Sequence, residues 1–152
     1  MTRFRRLTAP SLVLALLLAA AAMAPTAEAS TTRSYAAKVN QVRASHGLQK
    51  LTVSRSLQRS SSTYSRWMLR RDYFGHRSAI QASRRFSRRG EVLARTGARA
   101  PTAAEIVRAW LKSPTHRAVL LNPRYRFIGI GQARGSLGAD AATLVTGHFG
   151  AR

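Results

Sequence analysis

The stretch Ser113–Gly131, S-P-T-H-R-A-V-L-L-N-P-R-Y-R-F-I-G-I-G, permits few local structures. Ser113 is a helix-capping residue type, and Pro114 suits the first helical position, where its missing N–H costs nothing. His116 therefore falls in the first turn of a helix. Asn122-Pro123 breaks that helix soon afterwards, since the residue before a proline is pushed out of helical geometry. Phe127-Ile128-Gly129-Ile130-Gly131 then reads as the start of a buried strand. A short helix must pass almost directly into a strand, with a histidine at its beginning.

The N-terminal segment limits how much chain is left to fold. Arg3, Arg5 and Arg6 precede an unbroken apolar run, Leu12–Ala24, and Ala27-Glu28-Ala29 supplies an A-x-A cleavage site. That is the pattern of an export signal. The run is shorter than the ~20 residues needed to span a bilayer. Cleavage after Ala29 is expected, giving a signal peptide over 1–29 and one domain over 30–152. The Arg5-Arg6 pair leaves both the general and the twin-arginine export routes open.

The chain contains no cysteine, so an exported, disulfide-stapled mini-domain is excluded. About 120 residues can still bury roughly 65% of their unfolded surface. Charge is the other strong bound. Lysine and arginine total 26 against 5 acids, a formal +21, and arginine dominates. Such a surface attracts phosphate-rich wall polymers, anionic lipid or nucleic acid; a merely solvated basic surface is the alternative. The export signal argues against nucleic acid as the partner and for a secreted or wall-associated location.

Ser34–His46 has a helical apolar face at Tyr35, Val39 and Val42, closed by Gly47. Leu48 and Leu51 follow in a short connector. Ser54–Arg71 reads as a longer helix with Leu57, Ser61, Tyr64 and Met68 on its core stripe. Its many serines suit close packing on a neighbouring element. Asp72–His76 ends regular structure at Gly75, which leaves His76 in a loop. Ser78–Arg89 is a basic helix or loop, and Val92–Thr96 a short strand. Thr102-Ala103-Ala104-Glu105 is a capping box, giving Glu105 a structural task. The helix it opens ends at Lys112. Phe127–Arg134 and Ala141–Gly150 are strands joined by a Gly135–Asp140 hairpin loop. His148 reads as a packed or edge histidine, and Glu91, among arginines, as one half of a surface salt bridge.

Taken in order, V-N-x-x-R (Val39–Arg43), G-L-x-x-L, the serine-rich helix to Met68, F-G-H, G-E, W-L-K-S-P-x-H-R, I-G-I-G and a terminal F-G resemble the CAP superfamily. These are the SCP-like domains of cysteine-rich secretory, antigen 5 and pathogenesis-related proteins, and the likeness is to the bacterial secreted branch. It covers Tyr35 to Gly150. The resemblance implies an α+β fold, a three-layer α/β/α sandwich with a small antiparallel sheet between helices. It also implies a cleft of histidines and acids that in some members binds a divalent metal. His76, Glu91 and His116 match the two histidines and one acid. Val92 replaces the asparagine that follows the acid, and Ser113 stands where the second acid usually lies.

Two imidazoles and a carboxylate suit zinc or another divalent ion with a position open for water. The same three groups without a metal suit acid/base chemistry, which makes His76, Glu91 and His116 the candidate catalytic residues. Three functions stay open. The first is an extracellular binding module for anionic envelope polymers or a small apolar ligand, its cleft reduced to His76, Glu91 and His116. The second is a hydrolase of envelope or peptide substrates, and the third a basic polyanion binder with an inert cleft.

Overall fold

The computed structural model describes residues 27–152; the predicted leader lies outside the described residues except for its last three. In chain order the elements are α1 (Ala27–Ser45), β1 (Thr52–Val53), α2 (Arg55–Arg70), β2 (Arg88–Thr96), α3 (Ala103–Lys112), α4 (Pro114–Leu120), β3 (Phe127–Leu137) and β4 (Asp140–Ala151). The strands form one sheet in the order β1-β3-β4-β2. β2, β4 and β3 are antiparallel neighbours. The two-residue β1 pairs parallel to β3, so the sheet is mixed at one edge rather than wholly antiparallel. Helices cover both faces, which makes the expected three-layer α+β sandwich.

The alternation of β3 separates the two faces. Ile128 and Ile130 point into an apolar core shared with Tyr35 and Val39 of α1, Ile106, Val107 and Trp110 of α3, and Val145 and Phe149 of β4. Gly129 and Gly131 point the other way, against α2. A Cβ on Gly129 would fall on the backbone of Gln58, and one on Gly131 on that of Ser62. Helix and strand thus meet backbone to backbone, as the serine-rich helix predicted. Hydroxyls complete the seam: Ser61 Oγ donates to Gly129 O at 2.9 Å, and Ser65 Oγ to Thr146 Oγ1 at 2.8 Å.

The V-N-x-x-R motif is a clamp. Asn40 exchanges two hydrogen bonds with the backbone of Leu51, at 2.9 and 2.7 Å. Arg43 is fully buried, and its Nη1 donates to Leu120 O at 2.7 Å and Asn122 O at 3.0 Å. It satisfies carbonyls that the C-terminus of α4 leaves free, and so fixes the helix that carries His116.

Several boundaries differ from the sequence expectation. α1 begins at Ala27 rather than Ser34, and the predicted cleavage motif forms its first residues. Thr32, on this added length, is buried and donates to Ile130 O at 2.7 Å. β1 lies in what read as a connector, because a two-residue strand carries no periodicity. β2 starts at Arg88 and not Val92, since Arg88 and Arg89 pair with Ala151 and Gly150. The hairpin tightens to Gly138-Ala139, with Gly138 at φ 61°. Ser113 occupies the cap position of α4 but its hydroxyl makes no capping bond; it meets Thr115 Oγ1 at 3.2 Å. The Thr102/Glu105 capping box is present in full. Among the described residues no helix is long and apolar enough to cross a membrane.

Candidate functional site

Glu91 organises the polar side of the sheet. It sits on β2 directly opposite His148 of β4, which in turn sits opposite Gly129 of β3. All three project toward α2. Both Glu91 and His148 are buried, which corrects the reading of Glu91 as a surface ion pair. His148 Nε2 lies 2.9 Å from Glu91 Oε2, and His76 Nδ1 lies 2.7 Å from Glu91 Oε1. A carboxylate only accepts, so each imidazole turns an N–H toward it. In the neutral ring of His148 the other nitrogen, Nδ1, is then an acceptor, and Ser60 Oγ stands 2.8 Å from it.

His76 is held from the loop side. Tyr64 Oη donates to Gly75 O at 2.8 Å, and Tyr73 Oη to His76 O at 2.9 Å. Trp67 packs edge-on against Tyr73, and the Arg77 guanidinium lies 5.0 Å from the Trp67 ring centre. These contacts fasten the loop to α2, yet the His76 side chain stays 53% exposed. Tyr64 also stacks near His148, with ring centres 6.4 Å apart. Burial, with the Glu91 charge adding to it, pushes the Tyr64 hydroxyl up to about 12, which keeps it a donor.

His116 joins this group through His76, their ring centres 6.4 Å apart. Burial first, and His76 second, push His116 below the ordinary histidine value. The three residues picked from the sequence therefore stand together, Glu91 bonded to His76 and His76 beside His116, and the sequence reading missed a fourth, His148. Its signal was available: a histidine near the end of a buried strand, needing a partner in an otherwise apolar setting.

As placed, these groups do not make an ion cradle. Both Glu91 oxygens already accept imidazole N–H bonds, and His148 spends both nitrogens on Glu91 and Ser60. No group of three or more His, Asp or Glu side chains among the described residues is arranged to share an ion. The departure at Val92 has a simple cause. Residue 92 faces the other way, buried in the apolar core.

Beside this chain opens a cavity of about 610 Å³, with Ser60, Tyr64 and Trp67 among its walls. Four arginines, Arg55, Arg59, Arg77 and Arg85, line it, and no acid does. Arg55 and Arg59 lie one turn apart on α2, where like charges repel by a few tenths of a kcal/mol.

The cysteine-rich secretory protein (CAP) family matches residues 36–149. The chain belongs to that family. It is 31% identical over 119 residues to the uncharacterized protein YkwD of Bacillus subtilis (strain 168), a match that takes in 70% of this chain and 45% of YkwD. The CAP chain described here thus spans less than half the length of that relative. Its fold is similar to that of an SCP-domain extracellular protein of Bacillus anthracis, with a TM-score of 0.64 and 22% identity over 82% of this chain and 41% of that one. It is also similar to an outer surface protein of Borrelia burgdorferi, with a TM-score of 0.61 and 21% identity over 78% of this chain and 89% of that one.

Proposed function

We propose that this CAP domain is exported and works as an extracellular binding module for anionic envelope polymers, gripped in the arginine-walled cavity beside the His–Glu–His chain. The observation that carries this is the set of four arginines lining one cavity, with no acid among its lining residues. An uncompensated cluster of that kind is relieved by a phosphate or carboxylate, and arginine suits both because its planar fork bonds two oxygens at once. Trp67 and Tyr64 offer flat apolar wall between the charges. The basic N-terminus with its apolar run supports export, as do the extracellular and outer-surface descriptions of the structural neighbours. The single-domain boundary at Ala29 belongs to the same proposal.

Trp67 gives a direct readout, since the other tryptophan, Trp110, is deeply buried. A poly(glycerol phosphate) oligomer should change Trp67 fluorescence with an affinity that falls steeply with salt. Dextran should not, and Arg55→Gln/Arg59→Gln should weaken the response about tenfold or more. Equal binding of neutral and anionic polymer, or an unaffected double variant, would exclude the reading. The metal-dependent alternative needs Glu91 to release one imidazole so that His76, Glu91 and His116 share an ion. Zinc calorimetry decides it, because a heat unchanged by His76→Ala/His116→Ala removes those residues as ligands.

A further inference from the structure

Ser60, His148 and Glu91 form a continuous hydrogen-bonded series, and its outer end, Ser60, lines the arginine-walled cavity. We infer that Ser60 is the nucleophile of an esterase centre, with His148 as its base and Glu91 as the group that orients the ring. The substrate class is a carboxylic ester bearing a phosphate or carboxylate group for the arginines to hold. This rests on the anion-binding reading of the cavity for its choice of substrate, and on the hydrogen bonds alone for its chemistry.

The parts meet what a serine nucleophile requires. Glu91 Oε2 takes the Nε2–H of His148 at 2.9 Å, which leaves the Nδ1 lone pair directed at Ser60 Oγ, 2.8 Å away. The second Glu91 oxygen takes the Nδ1–H of His76 at 2.7 Å, so the carboxylate is held at both ends. Tyr64, stacked near the His148 ring, and the cross-strand register of Glu91 and His148 fix the imidazole further. Ser60 Oγ has a second acceptor, Leu57 O at 3.0 Å. Its single proton serves one of the two, and the histidine nitrogen is the nearer. The placement depends on the glycine seam, because only a helix resting directly on β3 brings residue 60 within reach of residue 148.

The reaction balances with water as the one co-reactant. Ser60 Oγ attacks the ester carbonyl carbon while its proton passes to His148 Nδ1. The carbon–oxygen bond to the alcohol breaks, and the departing oxygen takes that proton, leaving acyl-Ser60. Water then attacks the acyl carbon and gives a proton to His148. The acid leaves as the serine oxygen recovers that proton. Glu91 is a positioning residue throughout and touches no substrate.

The experiment treats the purified protein with a fluorophosphonate and maps the adduct by mass spectrometry, then follows hydrolysis of 4-nitrophenyl hydrogen succinate and of neutral 4-nitrophenyl acetate. Expected results are an adduct on Ser60 and a turnover that Ser60→Ala lowers by about 100-fold or more. Ser136→Ala, exposed on β3 near the hairpin and away from the cavity, should leave the rate unchanged. Glu91→Gln should lower kcat with little change in KM, which a merely structural role would not produce. A wild-type near-ultraviolet circular dichroism signal from the buried Trp110 shows that Ser60→Ala is folded. An adduct on Ser56 or Ser83, no adduct at all, or wild-type turnover in Ser60→Ala overturns the proposal even if the anionic polymer still binds. Ser60-dependent turnover with no preference for the succinate ester upholds the nucleophile and overturns the anion-binding reading instead.

Discussion

The two faces of the sheet are built on opposite principles. One face fills volume: Trp110, Tyr35, Ile130 and Phe149 pack against α1 and α3 as large apolar side chains. The other removes volume. Gly129 and Gly131 let α2 rest on β3, and serine hydroxyls of α2 bond into the strand backbone. Volume filling tolerates small adjustments, because neighbouring side chains shift and share the loss. A backbone-to-backbone contact has nothing flexible to yield. It also brings polar groups of helix and sheet to fixed separations, which is what Ser60, His148 and Glu91 require. The precise face carries the Ser60–His148–Glu91 hydrogen bonds, and the forgiving face supplies most of the hydrophobic burial.

Installing valine at adjacent positions of β3 would break or sharpen this contrast. Gly131→Val places a branched side chain on the backbone of Ser62 and should cost about 3 kcal/mol or more, enough to unfold a marginal domain. Denaturant unfolding measures it, and a loss under about 1 kcal/mol would show that α2 can simply lift away. Val92→Asn restores the residue usual after the acid in this family, yet the side chain faces the apolar layer. It should destabilise by about 2 kcal/mol, the cost of an unpaired buried amide, and leave any activity no better. Ile130→Val removes one methyl group from the forgiving face and should cost about 1 kcal/mol. If Ile130→Val proved as damaging as Gly131→Val, the two faces would not differ in the way described.

What could be read from the sequence follows the same division. The apolar face announces itself by periodicity, so the helical spacing of Tyr35 and Val39 points to the core, where both are buried. The capping box at Thr102 and the break at Asn122-Pro123 follow local rules, and both are present. The polar face was legible only in outline. Serines on α2 pointed to close packing, I-G-I-G only to a buried strand, and the family resemblance brought His76, Glu91 and His116 together. His148 was missed because its importance comes from strand register: residue 91 must pair with residue 148, and no local pattern encodes that pairing. β1 and the first turns of α1 escaped for a related reason. Their support is a distant strand, β3, for β1, and the buried Thr32–Ile130 bond for α1.

The smallest expected effect lies at the mouth of the polar face. His116 is partly buried and stands beside His76, and both influences disfavour its charged form. Its folded value lies below the ordinary 6.5, so the unfolded chain binds the proton more readily than the folded one. The stabilising contribution of neutral His116 is therefore complete above about 6.5, the unfolded value, and declines as pH falls from there toward the depressed folded value. An NMR titration should place the His116 midpoint below that of a free histidine. His76→Gln should raise it part of the way and leave the burial component in place. A His116 midpoint at or above the free value would mean that the ring is as open to water as the exposed His76. The step from wet to buried would then fall between His76 and Glu91, and the protected part of the chain would shrink to Glu91, His148 and Ser60.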